Sequence, residues 1–236
     1  MWKLVHYQQQ NRLTMRRIKI VLTYPTADVP VNNQHFLNGF IFKSFGENCP
    51  FHDTFSPYNI SSLQNGTLKD DKKTLEFKNG NPYFYVSGDD SFIEFAINAF
   101  ETSNASVFGM KFDSIDVFDD FIVNKHFDKI ITISPIIVKT KEGRKITFKH
   151  EEWLNLLTQN CESKLKHLNI VDPTFKLEII NPHKAKEKCI WVGDIFNPSS
   201  NVRLKVYGKP KTRETLYNMG LGGSTGSGFG SIKIYQ

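Results

Sequence analysis

Gly220-Leu221-Gly222-Gly223-Ser224-Thr225-Gly226-Ser227-Gly228-Phe229-Gly230, running into Ser231-Ile232-Lys233-Ile234, is the stretch that decides how the rest of the chain is read. Six of the fifteen glycines fall in these eleven residues, as Gly-hydrophobic-Gly, five residues, and Gly-hydrophobic-Gly again. Glycine takes positive φ without steric penalty, and its missing Cβ lets another chain approach the backbone closely. A backbone of this kind suits contact with a phosphodiester. Gly/Ser-rich sequence also reads as a flexible linker, but here the hydrophobic residues are evenly placed and a short alternating strand follows. A dinucleotide-binding or Walker loop needs a strand before the glycines and a helix after them. This chain has the reverse, with helix-like Arg213 to Met219 before and a strand after.

Working outward, the charge is divided unevenly. Residues 1–128 carry 12 Lys and Arg against 15 Asp and Glu, and residues 129–236 carry 18 against 9. The positive excess lies in the half that contains the glycine stretch, which points to a polyanionic partner held by one side of the molecule. Lys184, Lys186 and Lys188 form a basic segment read as a hairpin, and Arg203, Lys205, Lys209, Lys211 and Arg213 lead up to the glycines. Cys49, Cys161 and Cys189 are scattered without metal-ligand spacing, as are the seven histidines, so free thiols and no metal or cofactor are expected. No apolar run nears the twenty or so residues that span a bilayer, and the start of the chain lacks a secretion signal. A cytoplasmic protein is expected.

The periodicity predicts two cycles of the same elements. Arg16 to Leu22 alternates like a half-buried strand, and Phe36, Leu37, Phe40, Ile41 and Phe45 fall at helical spacing within 32–45. Lys73 to Lys78 and Tyr83 to Ser87 read as a hairpin across Asn79-Gly80-Asn81-Pro82, followed by a helix over 91–99 and one or two strands in 106–118. In the second cycle, strands over 130–139 and 144–148 precede a helix over 151–165 with Trp153, Leu154, Leu157 and Leu165 inward. Strands over 175–180, 189–193 and 202–207, a helix over 212–219 and a closing strand over 230–235 complete it. The fold class expected is therefore α+β, two tandem ferredoxin-like (RRM-like) β-α-β-β-α-β domains over 15–125 and 126–236, joined near 123–129. Residues 1–14 have no clear periodicity and read as an N-terminal extension.

A glycine motif of this form, closing the last such unit, resembles the signature of the CRISPR-associated repeat-RNA endoribonucleases of the RAMP superfamily. Arg16-Arg17-Ile18-Lys19-Ile20, Asn33 to Phe42 and Thr132-Ile133-Ser134-Pro135-Ile136 agree with that resemblance. It implies binding of CRISPR repeat RNA and metal-independent cutting of precursor CRISPR RNA to release guide RNAs. In that reaction the ribose 2′-hydroxyl attacks phosphorus, leaving a 2′,3′-cyclic phosphate and a 5′-hydroxyl. Such chemistry needs a base, an acid and a donor for the charged phosphorane. By position, the resemblance makes His52 the first catalytic candidate, with His35 as rival base and Lys43 or Tyr58 as helpers.

Two departures stand out. Phe42 occupies the place where relatives often carry a helix tyrosine, and the five residues between the two glycine pairs carry no cation. RNA contact is then expected from the backbone of Gly220, Gly222, Gly223, Ser224, Gly226, Gly228 and Gly230 and from the nearby lysines and arginines. The same fold and loop also suit a non-catalytic subunit of a CRISPR effector complex, as monomer or homodimer. A nucleotide or small-molecule enzyme unrelated to RNA fits the order of elements worst.

Overall fold

In the computed structural model, which describes residues 15–47, 49–51, 58–117 and 127–235, the chain is α+β, with four helices and several antiparallel sheets among those residues. The proposed extension over 1–14 and most of the proposed junction near 123–129 lie outside the described residues.

The first half runs β1 (Met15–Leu22), β2 (Val29–Pro30), α1 (Gln34–Phe45), β3 (Asn59–Ile60), β4 (Thr67–Leu68), β5 (Thr74–Glu76), β6 (Tyr83–Asp89), α2 (Asp90–Thr102) and β7 (Phe112–Val117). Four strands form one sheet in the order β3-β6-β1-β7. The alternation in β1 sends Ile18, Ile20 and Leu22 to the helix side, beside Phe84 and Val86 of β6, and all five are buried. Above them lie Leu37, Phe40, Ile41 and Phe45 of α1 and Phe92, Ile93, Ala96 and Phe100 of α2, whose rings pack edge-on and stacked at about 6 Å. Asp89 starts α2 as its N-cap, its carboxylate accepting from the Phe92 N–H at 2.9 Å, so a donor that the first turn leaves open is satisfied.

The expected hairpin of 73–78 with 83–87 does not form. Thr74–Glu76 pairs instead with β4 and β2 in a separate three-stranded sheet, and the strand beside β6 is Asn59–Ile60. The physical reason is a shorter turn. Asp71 accepts from the N–H groups of Lys73 and Thr74 and from the Thr74 hydroxyl, closing 67–76 on itself with Lys72 at φ 54°.

The second half runs β8 (Lys129–Thr132), β9 (Val138–Lys139), β10 (Lys145–Ile146), α3 (Trp153–His167), β11 (Lys176–Ile180), β12 (Lys186–Val192), β13 (Ile195–Asn201), β14 (Arg203–Tyr207), α4 (Pro210–Met219) and β15 (Ile232–Ile234). Its main sheet has the order β11-β14-β8-β15. Trp153, Leu157, Cys161 and Leu165 recur every four residues along α3 and are buried against that sheet. The segment 184–188 is not itself a hairpin. Lys184 ends a 3₁₀ turn and Lys186 begins β12, whose ladder with β13 closes farther on, at residues 193–194.

The two halves meet through polar groups. On the face of the first sheet turned away from its helices, Arg17 is 3% exposed, donates to the carbonyl of Ile232 at 2.7 Å and to that of Tyr217, and lies 3.8 Å from the centre of the Tyr217 ring. Ser87 Oγ donates to Asn218 O at 2.7 Å. Sheet face meets sheet and helix with Arg17 Nη1 and Nη2 and Ser87 Oγ matched to carbonyls across the junction.

Candidate functional site

The glycine stretch follows α4 directly and lies in this junction. Most of it is buried, and only residues 223, 224, 226 and 227 reach the surface to any degree. The first half holds it. Asn59, fully buried, donates from Nδ2 to Thr225 O at 3.1 Å and to Phe229 O at 3.0 Å, and its Oδ1 accepts from the Ser231 hydroxyl. Asn38 donates to Ser227 O at 3.2 Å, and Thr225 Oγ1 donates to Tyr58 O at 3.2 Å.

These contacts explain glycines as packing requirements. At Gly226, a Cβ would come within 2.8 Å of the Tyr58 ring; at Gly228, where φ is +87°, it would coincide with the Gln34 amide. The Tyr58 ring cannot withdraw without opening the core, whereas at Gly228 the positive φ and the Gln34 amide, held by Asn38, act together.

What remains exposed of the loop forms one wall of a cleft of about 320 Å³. Phe42 of α1 and Tyr58 line it from the first half, and Asn160, Ser163, Lys164 and His167 of α3 from the second. The volume is at the low end for ligand sites. The α3 residues are spaced i, i+3, i+4, i+7, which places them in one stripe along the helix. Sequence reading took this helix for its apolar stripe and passed over the polar one, although the spacing was there to be seen.

Lys164 sits deep in that stripe. It is 8% exposed, and its Nζ donates to Gly220 O at 3.2 Å, tying α3 to the first residue of the glycine stretch. Burial pulls its pKa down to about 8, with the neighbouring Cys161 thiol opposing. The Cys161 thiol is pushed up to about 11 by burial, against the influence of Lys164 and a hydrogen bond from the Gly222 N–H. The cleft thus has an ionisable pair beneath its floor.

The catalytic candidates separate spatially. Tyr58 lies at the cleft, its ring stacked on Phe92 at 4.2 Å and its hydroxyl 3.4 Å from Phe51 O. His52 lies outside the described residues; Phe51 and Tyr58, which flank residues 52–57, have ring centres 6.4 Å apart. His35 and Lys43 are exposed on α1 and line a different groove, with Phe36, Gly39 and Phe108.

The basic candidates are spread out too. Arg203 lies over the Tyr235 ring, Lys205 pairs with Asp128 at 3.6 Å, Lys211 with Glu214 at 3.2 Å, and Arg213 donates to Phe127 O. Lys184, Lys186, Lys188 and Lys209 are exposed. Among the described residues no cluster of His, Cys, Asp and Glu could hold a metal ion, and no helix is long and apolar enough to cross a membrane.

Residues 120–234, the half with the glycine stretch and α3, match the family model of the C-terminal part of CRISPR associated protein Cas6. Over those residues the chain is a member of the Cas6 family. Cas6 proteins process precursor CRISPR RNA and are typically endoribonucleases. Over 94% of this chain the fold is similar to solved structures. One, described as "CRISPR associated protein Cas6", has TM-score 0.77 and 22% identity over all of its own chain. A Cas6-related protein from Pyrococcus furiosus has TM-score 0.78 and 21% identity over 99% of its chain. A RAMP protein described as binding different RNA substrates has TM-score 0.78 and 19% identity over all of its chain. Curated proteins compared by sequence contain no match. As in its Cas6 relatives the architecture is α+β, and in this member the junction of the halves is where loop, helix stripe and phenol converge.

Proposed function

We propose that this chain is a metal-independent endoribonuclease that binds CRISPR repeat RNA and cuts precursor CRISPR RNA. The observation that carries the reading is the cleft, where residues 223, 224, 226 and 227 face Tyr58 on one side and the polar stripe of α3 on the other. We read the two halves as ferredoxin-like units, over 15–125 and 126–236, because each presents strand-helix-strand-strand-helix-strand and the same sheet order.

The step is a transesterification. The 2′-oxygen upstream of the cut forms a bond to phosphorus as the bond from phosphorus to the 5′-oxygen breaks. A base takes the 2′-proton and an acid returns one to the leaving oxygen. His52 remains the proposed base, entered from Phe51 and left at Tyr58. His167 is the histidine among the described residues that lines the cleft, and histidine is the side chain type suited to carrying such a proton. The loop backbone is the donor proposed for the phosphorane; the Tyr58 hydroxyl, which donates to Phe51 O, joins it only by giving up that bond. Lys164 is a positioning residue, since its ammonium is committed to Gly220 O. The basic residues of the second half, Lys184, Lys186, Lys188, Arg203, Lys205, Lys209, Lys211 and Arg213, supply the long-range field for the RNA.

A second reading, a non-cutting subunit that holds guide RNA, is favoured by one observation. Phe42 reaches the cleft without a hydroxyl to donate. Incubation of the purified chain with its repeat RNA in EDTA separates the two. A product ending in a 2′,3′-cyclic phosphate, lost in His52→Ala or His167→Ala, is expected. Tight binding without a cut establishes the second reading, and no binding by folded protein refutes both.

A further inference from the structure

The β12–β13 hairpin carries a surface the cleft does not use. Its seven-residue ladder ends at Val192 and Ile195 across a two-residue turn with Gly193 at φ +57°. At the tip Trp191 and Phe196 are direct cross-strand partners, with ring centres 5.2 Å apart and planes tilted by 55°. Trp191 is 47% exposed, Phe196 43% and Ile195 60%. Trp191 and Phe196 share one face of the hairpin while Ile195 points to the other, and two exposed aromatic rings in contact form a patch rather than the scattered exposure that is normal for surfaces.

The charge around the patch indicates what covers it. Lys145 of β10 reaches over from the neighbouring two-stranded sheet, its Nζ 3.4 Å from Phe196 O, so an ammonium lies at the backbone that carries one of the rings. Lys145 is also the direct ladder partner of Lys139, and Lys141 and Arg144 sit on the turn between them. Like charges opposite each other disfavour a ladder, and an anion lying over them relieves it. Of the acidic residues nearby, Glu187 is engaged, with Lys149 at 2.6 Å and with Thr147, while Asp194 on the turn is exposed and stands apart from the cations of β9 and β10 in sequence and sheet. Flat rings beside a run of cations match an unpaired nucleotide, whose base stacks while its phosphates meet the lysines.

The patch is also close to the proposed site of cutting. A Cβ on Gly193 would lie 3.8 Å from the His35 imidazole, so the hairpin tip rests against the start of α1. Phe42, which lines the cleft, is seven residues along the same helix, about 10 Å at the rise of an α-helix.

Resting on the reading of this chain as an RNA-processing protein, we infer that Trp191 and Phe196 form a stacking site for an unpaired nucleotide of the RNA, with Lys139, Arg144 and Lys145 on its phosphates. The test uses the full chain with two probes, a fluorescein-labelled single-stranded 12-mer of its repeat RNA and the same sequence annealed into a duplex. Base stacking on an aromatic residue is worth about 1–3 kcal/mol, roughly a five- to hundredfold change in affinity. Trp191→Ala and Phe196→Ala are each expected to weaken single-strand binding about tenfold, to leave duplex binding unchanged and to keep the thermal midpoint; Trp191→Phe restores most of the affinity. Single-strand binding equal to wild type in both alanine variants overturns the inference while leaving the RNA-processing reading intact. So does a dimer in analytical ultracentrifugation that Trp191→Ala dissociates, which would make the tip a protein contact. If wild type binds neither probe, both readings fall together.

Discussion

Lys164 and Cys161 titrate in opposite directions, and the pair gives the stability of this protein an unusual pH profile. Lys164 has its pKa lowered by burial from 10.5 to about 8. Below pH 8 it is charged in both states and the folded protein carries the whole desolvation penalty. As pH rises from 8 to 10.5 the unfolded chain keeps its proton longer, so stability increases. The Cys161 thiol is raised from 9.0 to about 11 by burial. Between pH 9 and 11 the unfolded chain loses that proton first, so stability falls. At 1.36 kcal/mol per unit, the lysine is worth about 3 kcal/mol in all and the cysteine about 3 kcal/mol in the other direction. Wild type should therefore gain about 1 kcal/mol between pH 7.5 and 9 and stay nearly level to pH 10.5. Cys161→Ala, with the opposing group removed, should gain about 3 kcal/mol from pH 7.5 to 10.5 relative to a Lys164→Met/Cys161→Ala double variant. Lys164→Met should lose about 2 kcal/mol over the same range on that scale. At pH 7.5 Lys164→Met should also be the more stable protein by about 2 kcal/mol, the relieved burial less about 1 kcal/mol for the unpaired Gly220 carbonyl. Urea unfolding at pH 7.5, 9 and 10.5, followed by the fluorescence of buried Trp153, measures all of this. Parallel profiles in wild type and the variants would show that neither group is held as described.

Two further perturbations test the junction and the loop. Arg17→Met leaves the Ile232 and Tyr217 carbonyls without their donor and should cost about 2–4 kcal/mol in urea unfolding. Arg17→Lys should fare little better, because one ammonium cannot reproduce the guanidinium fork and its stacking; a lysine variant as stable as wild type would refute that account. Gly226→Ala drives a methyl into the Tyr58 ring and should cost about 1–3 kcal/mol in wild type but much less when made in a Tyr58→Ala background. Gly39→Ala on α1, with nothing within 4 Å of its Cβ, should instead stabilise by about 1 kcal/mol, and thermal melts of the set distinguish packing from simple glycine content.

The elements that sequence reading found are those whose signal is local. β1, α1 and α3 each carry an apolar repeat at the period of their own structure, and each forms within a few residues of the expected bounds. The misses have the opposite character. Asn59–Ile60 is two residues long, begins with a buried polar side chain and has no period at all. It becomes a strand only because β6 is alongside and because the glycine stretch presents carbonyls to Asn59. Thr74–Glu76 looked like the partner of β6 from its position, but a side-chain cap at Asp71 committed it to another sheet.

The glycine stretch shows the same division. Its spacing, in sequence alone, marked the family, and the rise in positive charge through the second half pointed to a polyanion. Which glycines are wanted for close packing, which reach solvent, and which side chains face them across a cleft were decided only in three dimensions. The partners that settle those questions, Asn38, Asn59 and Tyr58, lie 166 to 189 residues away along the chain. Periodicity reports the neighbours a residue has on its own element. The groups that a loop meets across a junction depend on how two finished halves dock, and no local pattern encodes that.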